Sequence, residues 1–177
     1  MPVVNPAASI TLITGPRGYT RQRMLERLIE TALQEQVRIL IGGNHFPVYQ
    51  IAYALAARTG KYYTILSEEI LLSRAETGYQ LVELLQQTPN TPAVILVSDL
   101  LSPLMDDSLR EKEANQLLFE CILELRRLGK SCRVLISAHH PQPRPRLLMA
   151  LTNAVGQVER PILEEMPSQE LQQGWWR

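Results

Sequence analysis

Short apolar runs alternate along the chain with segments in which apolar residues recur every three or four positions. After an extended lead-in over residues 1–9, residues 10–14 read as a strand. A helix is predicted over about 20–36, where Met24, Leu25, Leu28, Ile29 and Leu33 fall at helical spacing. Residues 37–41 read as a buried strand ended by Gly42 and Gly43. Residues 47–58 read as a helix with Ile51, Ala52, Leu55 and Ala56 on one face, closed by Thr59, Gly60 and Lys61. Residues 62–67 fit a strand or a loop, 70–73 a strand and 78–87 a helix. Pro89 and Pro92 frame a turn, and 93–97 is the clearest strand of all. A loop over 100–109 leads to a long helix over about 111–128, with Gly129 and Lys130 as its end. A strand over 132–137, a loop stiffened by Pro141, Pro143 and Pro145, a short helix near 146–151 and a strand near 154–159 complete the pattern.

Strand–helix alternation with continuously apolar strands predicts the α/β class: a mainly parallel central sheet with helices on both faces. One domain over residues 1–161 and a C-terminal tail over 162–177 follow. The length of 177 residues suits a single substantial core. A formal net charge of +0 argues against a strongly electrostatic nucleic-acid binder, while leaving room for a local basic patch. Cys121 and Cys132 show no metal-ligand spacing, so they are expected as free thiols in a reducing cytoplasm. No signal-peptide pattern opens the sequence and no run approaches membrane-spanning length, which predicts a cytoplasmic protein without a membrane partner.

The candidate chemistry starts at Gly15-Pro16-Arg17-Gly18-Tyr19-Thr20-Arg21-Gln22, placed between a strand and a helix as a phosphate-binding P-loop would be. In the pattern G-x-x-x-x-G-K-[ST], Gly15 takes the first glycine. Thr20 then stands at the second glycine, Arg21 at the lysine and Gln22 at the hydroxyl residue. Each departure has a physical consequence. A β-branched residue resists the backbone geometry that closes amides around phosphate. A planar guanidinium needs a different cradle from a compact ammonium. An amide on a long stem replaces the hydroxyl that binds Mg²⁺. A helix N-terminus flanked by Arg17 and Arg21 still attracts an anion, so phosphate binding survives these losses better than hydrolysis does.

The order of elements from residue 10 to 161 resembles the RecA/RadA/KaiC ATPase core. Asn44, after the second strand, stands at the position of that family's water-polarising acid, and an amide cannot accept a proton as a carboxylate does. Residues 70–75, ending in Arg74-Ala75, and the helix after them look like the corresponding RadA passage. Val94-Ile95-Leu96-Val97-Ser98-Asp99 matches a Walker B strand, whose Asp holds Mg²⁺ through water. His139 and His140 stand where the family carries its polar sensor of the γ-phosphate, and residues 151–160 resemble its closing strand.

The resemblance implies a RecA-like P-loop fold with a degenerate Walker A motif and no residue in a catalytic role. It implies a catalytically inactive homologue that assists DNA recombination or repair as an accessory or interaction scaffold, through a protein partner or a second copy of itself. The alternative is a KaiC-type ATP-binding regulator with weak or no hydrolysis, for which ATP with Mg²⁺ is the candidate cofactor. No resident metal is assigned to His139 and His140, which lack an acidic or cysteine cluster at ligand spacing. The family's second DNA loop falls on residues 139–146, making Arg144 and Arg146 the candidate phosphate contacts for a weak nucleic-acid interaction. Arg21, Arg23 and Arg27, balanced by Glu26 and Glu30, read as a solvated helix face. Under the resemblance, the domain before the core, where RadA-type recombinases carry a polymerisation contact, is expected to be missing. Trp175 and Trp176 are large aromatics of the kind enriched at binding sites.

Overall fold

The computed structural model describes residues 9–162. Trp175, Trp176 and nearly all of the expected tail and lead-in therefore lie outside the described residues. Six strands form one all-parallel sheet: β1 (Ile10–Gly15), β2 (Val37–Gly42), β3 (Ile70–Ala75), β4 (Val94–Ser98), β5 (Val134–His139) and β6 (Gln157–Glu159). Their order across the sheet is β3-β2-β4-β5-β1-β6. Six helices connect them: α1 (Arg17–Ala32), α2 (Val48–Ala56), the single turn α3 (Tyr62–Thr64), α4 (Gly78–Gln87), α5 (Glu111–Gly129) and α6 (Pro145–Ala154).

Strand alternation divides the core into two apolar layers. Ile13, Ile39, Ile41, Val94 and Leu96 pack with Met24, Leu28 and Ile29 of α1 and with Ile51 and Leu55 of α2. Ile10, Leu12, Leu40, Ile95, Val97, Val134 and Ile136 face the other way, against α4, α5 and α6. Most of these side chains are fully buried, each contributing about 1.5–3 kcal/mol. The strands read as apolar runs because both faces of the sheet are covered.

Several element boundaries differ from the pattern-based expectation. α1 begins at Arg17, three residues early, because Pro16 has the fixed φ that starts a helix and Thr20 N–H already bonds the Pro16 carbonyl. It ends at Ala32 instead of 36, with Leu33 as the cap. The ambiguous 62–67 segment is helical: α3 runs into a π-helical turn over Ile65–Glu69. β3 extends to Ala75, two residues beyond the expected end. The 100–109 loop holds a 3₁₀ turn over Ser102–Met105. Gly129 closes α5 from inside the helix, with Lys130 as the cap. α6 runs from Pro145 to Ala154, longer at both ends than expected and leaving only Gln157–Glu159 for β6.

Local polar chemistry sets other ends. Thr77 accepts from Gln80 N–H while the Gln80 amide oxygen accepts from Thr77 N–H, a capping box that starts α4. Arg127 on α5 donates to the carbonyls of Leu85 and Thr88, fastening the end of α4. Buried Cys121, a free thiol like Cys132, has its pKa pushed up to about 12 by burial and is chemically inert. Among the described residues, no helix is long and apolar enough to cross a membrane.

The arginines of α1 carry more structure than a solvated face would. Arg23 Nε donates to Glu159 of β6 at 2.7 Å and Arg27 Nη2 to the same carboxylate at 3.2 Å, alongside their contacts to Glu26 and Glu30. This fork clamps the short edge strand β6 to α1. Partial burial alone would push the Glu159 carboxyl up. The hydrogen bonds from Arg23 and Arg27 outweigh burial and hold it below the usual glutamate range. A depressed carboxyl contributes stability above its unfolded pKa, near 4.5, and loses it as pH falls through the folded value. Glu159→Gln should therefore lower stability by about 1 kcal/mol at pH 7. In urea unfolding at stepped pH, the gap to the parent should close below pH 4.5, the unfolded value.

Candidate functional site

At the carboxyl end of the sheet, β5 lies between β1 and β4 and brings three sequence-predicted positions together. Gly15 is in register with His139, and His140 N–H donates to the Gly15 carbonyl at 2.9 Å. Arg17, first residue of α1, places Nη2 3.1 Å from His139 Nε2. His139 Nδ1 is 3.4 Å from Asp99 Oδ1. Guanidinium can only donate, so Nε2 accepts and Nδ1 carries the proton toward Asp99. The result is a chain, Arg17 to His139 to Asp99, with both His139 and Asp99 side chains largely buried.

The octapeptide itself does not form a loop. Gly15 is in β1, Pro16 is the whole connection, and residues 17–22 are helix. Thr20, at the second-glycine position, is fully buried, and its hydroxyl donates to the Arg17 carbonyl. Its amide is consumed inside the helix, leaving those of Arg17 and Gly18 at the helix mouth. Space above Gly15 is also filled. A Cβ there would lie 2.8 Å from Tyr19 Cδ1 and 2.9 Å from Pro161 Cδ. A Mg²⁺–nucleotide held in the P-loop manner does not fit this arrangement: the connection is too short to wrap a phosphate. No hydroxyl stands at the Mg²⁺ position, and the Asp99 carboxylate faces His139. Asn44 is exposed in the loop between β2 and α2.

Asp99 occupies a constrained position. Its φ is +52°, the only positive φ among the described non-glycine residues. Asp99 N–H donates to Ser137 Oγ at 2.9 Å, and its carbonyl accepts from Ser102 N–H at 3.0 Å. A Cβ on Gly42 of β2 would collide with that carbonyl, so β2 and the β4 turn meet backbone to backbone. His140 is more exposed than His139, and partial burial, then its neighbours His139 and Arg160, push its pKa below the usual histidine value. Among the described residues, no group of three or more His, Cys, Asp or Glu side chains is placed to hold a metal.

Arg21 and Gln22 turn to a different place. They line a cleft of about 520 Å³ between α1 and α2, with Met24, His45, Phe46, Gln50 and Ser98 among its walls. Arg21 Nε is buried there without a hydrogen-bond partner. The cleft lies by the ends of the adjacent strands β2 and β4, whose outgoing connections leave on opposite faces. Open α/β sheets bind ligands at such a switch point. The octapeptide supplies Gly18, Arg21 and Gln22 to this cleft, but its other walls come from further along α1, from α2, the loop before it and the strands β2 and β4, which no single motif joins.

The structure places the two predicted phosphate contacts differently. Arg144 donates to the carbonyls of Leu104, Asp106 and Leu109, clamping the loop before α5. Its guanidinium donors serve loop backbone in this structure. Arg146 is exposed and pairs loosely with Glu111 at 3.7 Å, a contact that offsets its charge.

No protein-family model matches the chain, and comparison with curated proteins finds no significant match. What the site does must follow from its own geometry, which two substitutions probe. Arg144→Ala should cost roughly 2 kcal/mol in denaturant unfolding, since three carbonyls lose a charged donor. Asp99→Ala should destabilise by about 1–2 kcal/mol and Asp99→Gly by clearly less, because glycine tolerates the positive φ even without the His139 contact. Equal losses for the two would show that the backbone strain at Asp99 is immaterial.

Proposed function

We propose that this chain is a RecA-like α/β domain whose phosphate cradle has been lost, serving in the cytoplasm as an accessory or interaction scaffold for recombination or repair. The observation that carries the reading is the start of α1 at Arg17, which leaves a single connecting residue where a phosphate loop would be. The strand order supports the same reading. With β5 between β1 and β4, the glycine turn, His139 and Asp99 converge at one end of the sheet, as a common ancestral site requires. Arg17 now occupies the imidazole face that a bound anion would approach, and Asp99 orients that imidazole. The arrangement joins strand ends together and offers no base to a water molecule.

A second reading, an ATP-binding regulator with weak or no hydrolysis, draws on one observation. Arg21 presents a buried, unpartnered Nε beside a cleft of about 520 Å³, a volume within the small-molecule range. Titration calorimetry with MgATP separates the two. The scaffold reading expects no isotherm and no phosphate release. A micromolar isotherm that disappears in Arg21→Ala would establish the regulator and sink the scaffold in its strict form.

A further inference from the structure

A long stretch without a carboxylate, residues 36–67, is also where the exposed aromatics gather. Between Glu35 and Glu68 the sequence has no Asp or Glu, and it carries four of the chain's six tyrosines. α2 turns Ile51 and Leu55 into the core, which leaves Tyr49 and Tyr53, one helical turn apart, on its outer side. They are 81% and 77% exposed. Tyr63 of α3 is 73% exposed and Tyr62 beside it 40%. Arg58 and Lys61, in the connection between the two helices, are exposed too. Neither takes part in an ion pair among the described residues, whereas Arg23, Arg27, Arg127, Arg133 and Arg146 do. Glu68 and Glu69 follow in the π-helical turn and bound the patch.

A tyrosine left about three-quarters exposed loses apolar contact that a core position would supply, and Tyr49, Tyr53 and Tyr63 together, with the less exposed Tyr62 beside them, need a reason. Their chemistry selects the partner. Phenolic rings offer flat π-faces, unpaired cations attract polyanions, and a stretch without carboxylates spares phosphate the repulsion it would meet beside acidic residues. An apolar protein groove would be matched by Leu, Ile or Phe, as on α5, where Phe119 and Leu123 are exposed among charged neighbours.

We propose that the α2–α3 face is a single-stranded nucleic-acid platform: bases stack on Tyr49, Tyr53 and Tyr63 while Arg58 and Lys61 hold the backbone phosphates. The proposal moves the nucleic-acid contact from the Arg144–Arg146 loop to the opposite half of the sheet, next to β2 and β3. It rests on the scaffold reading, since it names what the scaffold holds, but not on the state of the phosphate site. MgATP calorimetry therefore fails or succeeds independently of it.

Fluorescence anisotropy of a labelled oligothymidine, titrated with the full chain across a salt series, tests it. Binding should weaken with salt, with a slope of about −0.7 per phosphate neutralised. Tyr49→Ala and Tyr53→Ala should each weaken binding about ten-fold, whereas Tyr49→Phe, which keeps the π-face, should retain it. Arg58→Gln with Lys61→Gln should flatten the salt slope by about 1.4, and Arg146→Ala should leave binding unchanged. All these residues are exposed, so unchanged melting curves are expected throughout. Absence of binding at low salt overturns the proposal, as does binding indifferent to the tyrosine substitutions. So does a tyrosine-dependent self-association in sedimentation without oligonucleotide binding, which would make the face an interface between proteins.

Discussion

The junction between β1 and α1 is the constraint on which the carboxyl end of the sheet depends. Pro16 alone connects them, its φ of −54° already near the helical value, and the Gly15 carbonyl is tied to His140 N–H. With the strand end fixed and no loop to absorb slack, the first turn of α1 must sit directly above the ends of β1 and β5. That puts Arg17 against His139 and Tyr19 over Gly15. It also sends Thr20 into the core, where a phosphate loop would need a flexible glycine. The helix keeps its partial positive charge at the N-terminus. What it lacks is the ring of amides that converts such a charge into a phosphate site.

A second constraint meets the first at Asp99. β2 and the turn after β4 approach until only glycine fits at position 42, and the chain leaves β4 through a left-handed residue. Asp is among the few side chains that tolerate this conformation at modest cost. Ser137 and Ser102 hold its backbone, and His139 holds its carboxylate. The residue that looks most like a metal ligand in sequence is thus also demanded by the backbone and by its imidazole neighbour. A carboxylate at the end of a parallel strand is weak evidence of metal chemistry when such demands already account for it.

The sequence carried the layered architecture well, because two-sided burial writes itself as apolar runs and helical spacing. Strands β1, β2 and β4 and the body of α5 were legible for that reason. Boundaries were less so. The start of α1 turned on Pro16, whose role as a helix opener competes with the loop suggested by Gly15 and Gly18. The π-helical turn at Ile65–Glu69 has no periodic signature, so 62–67 stayed ambiguous. At the site, motif register placed Arg21 among the phosphate contacts, yet a helix that starts three residues early turns it toward α2 instead. The role of Arg144 depends on three carbonyls some 35 to 40 residues away in sequence, which no local pattern encodes.

Net charge was the least informative of the sequence features, and the reason is spatial. Eighteen cations and eighteen carboxylates cancel in the sum, but they do not cancel everywhere on the surface. Arg23 and Arg27 spend their charge on Glu26, Glu30 and Glu159, Arg127 on Glu124 and Arg146 on Glu111. Pairing on α1, α5 and α6 therefore uses carboxylates that the stretch between Glu35 and Glu68 does not have. A neutral protein can in this way keep an uncompensated face. Because an exposed pair is worth at most about 1 kcal/mol, concentrating the carboxylates elsewhere costs little stability. What it changes is the local field at α2 and α3, where the screening length of about 8–10 Å is short enough for the distant carboxylates to be felt weakly. The fold thus separates two tasks: the paired helices and the β1–α1 junction hold the sheet together, and the unpaired helices at its other edge are left with the surface chemistry.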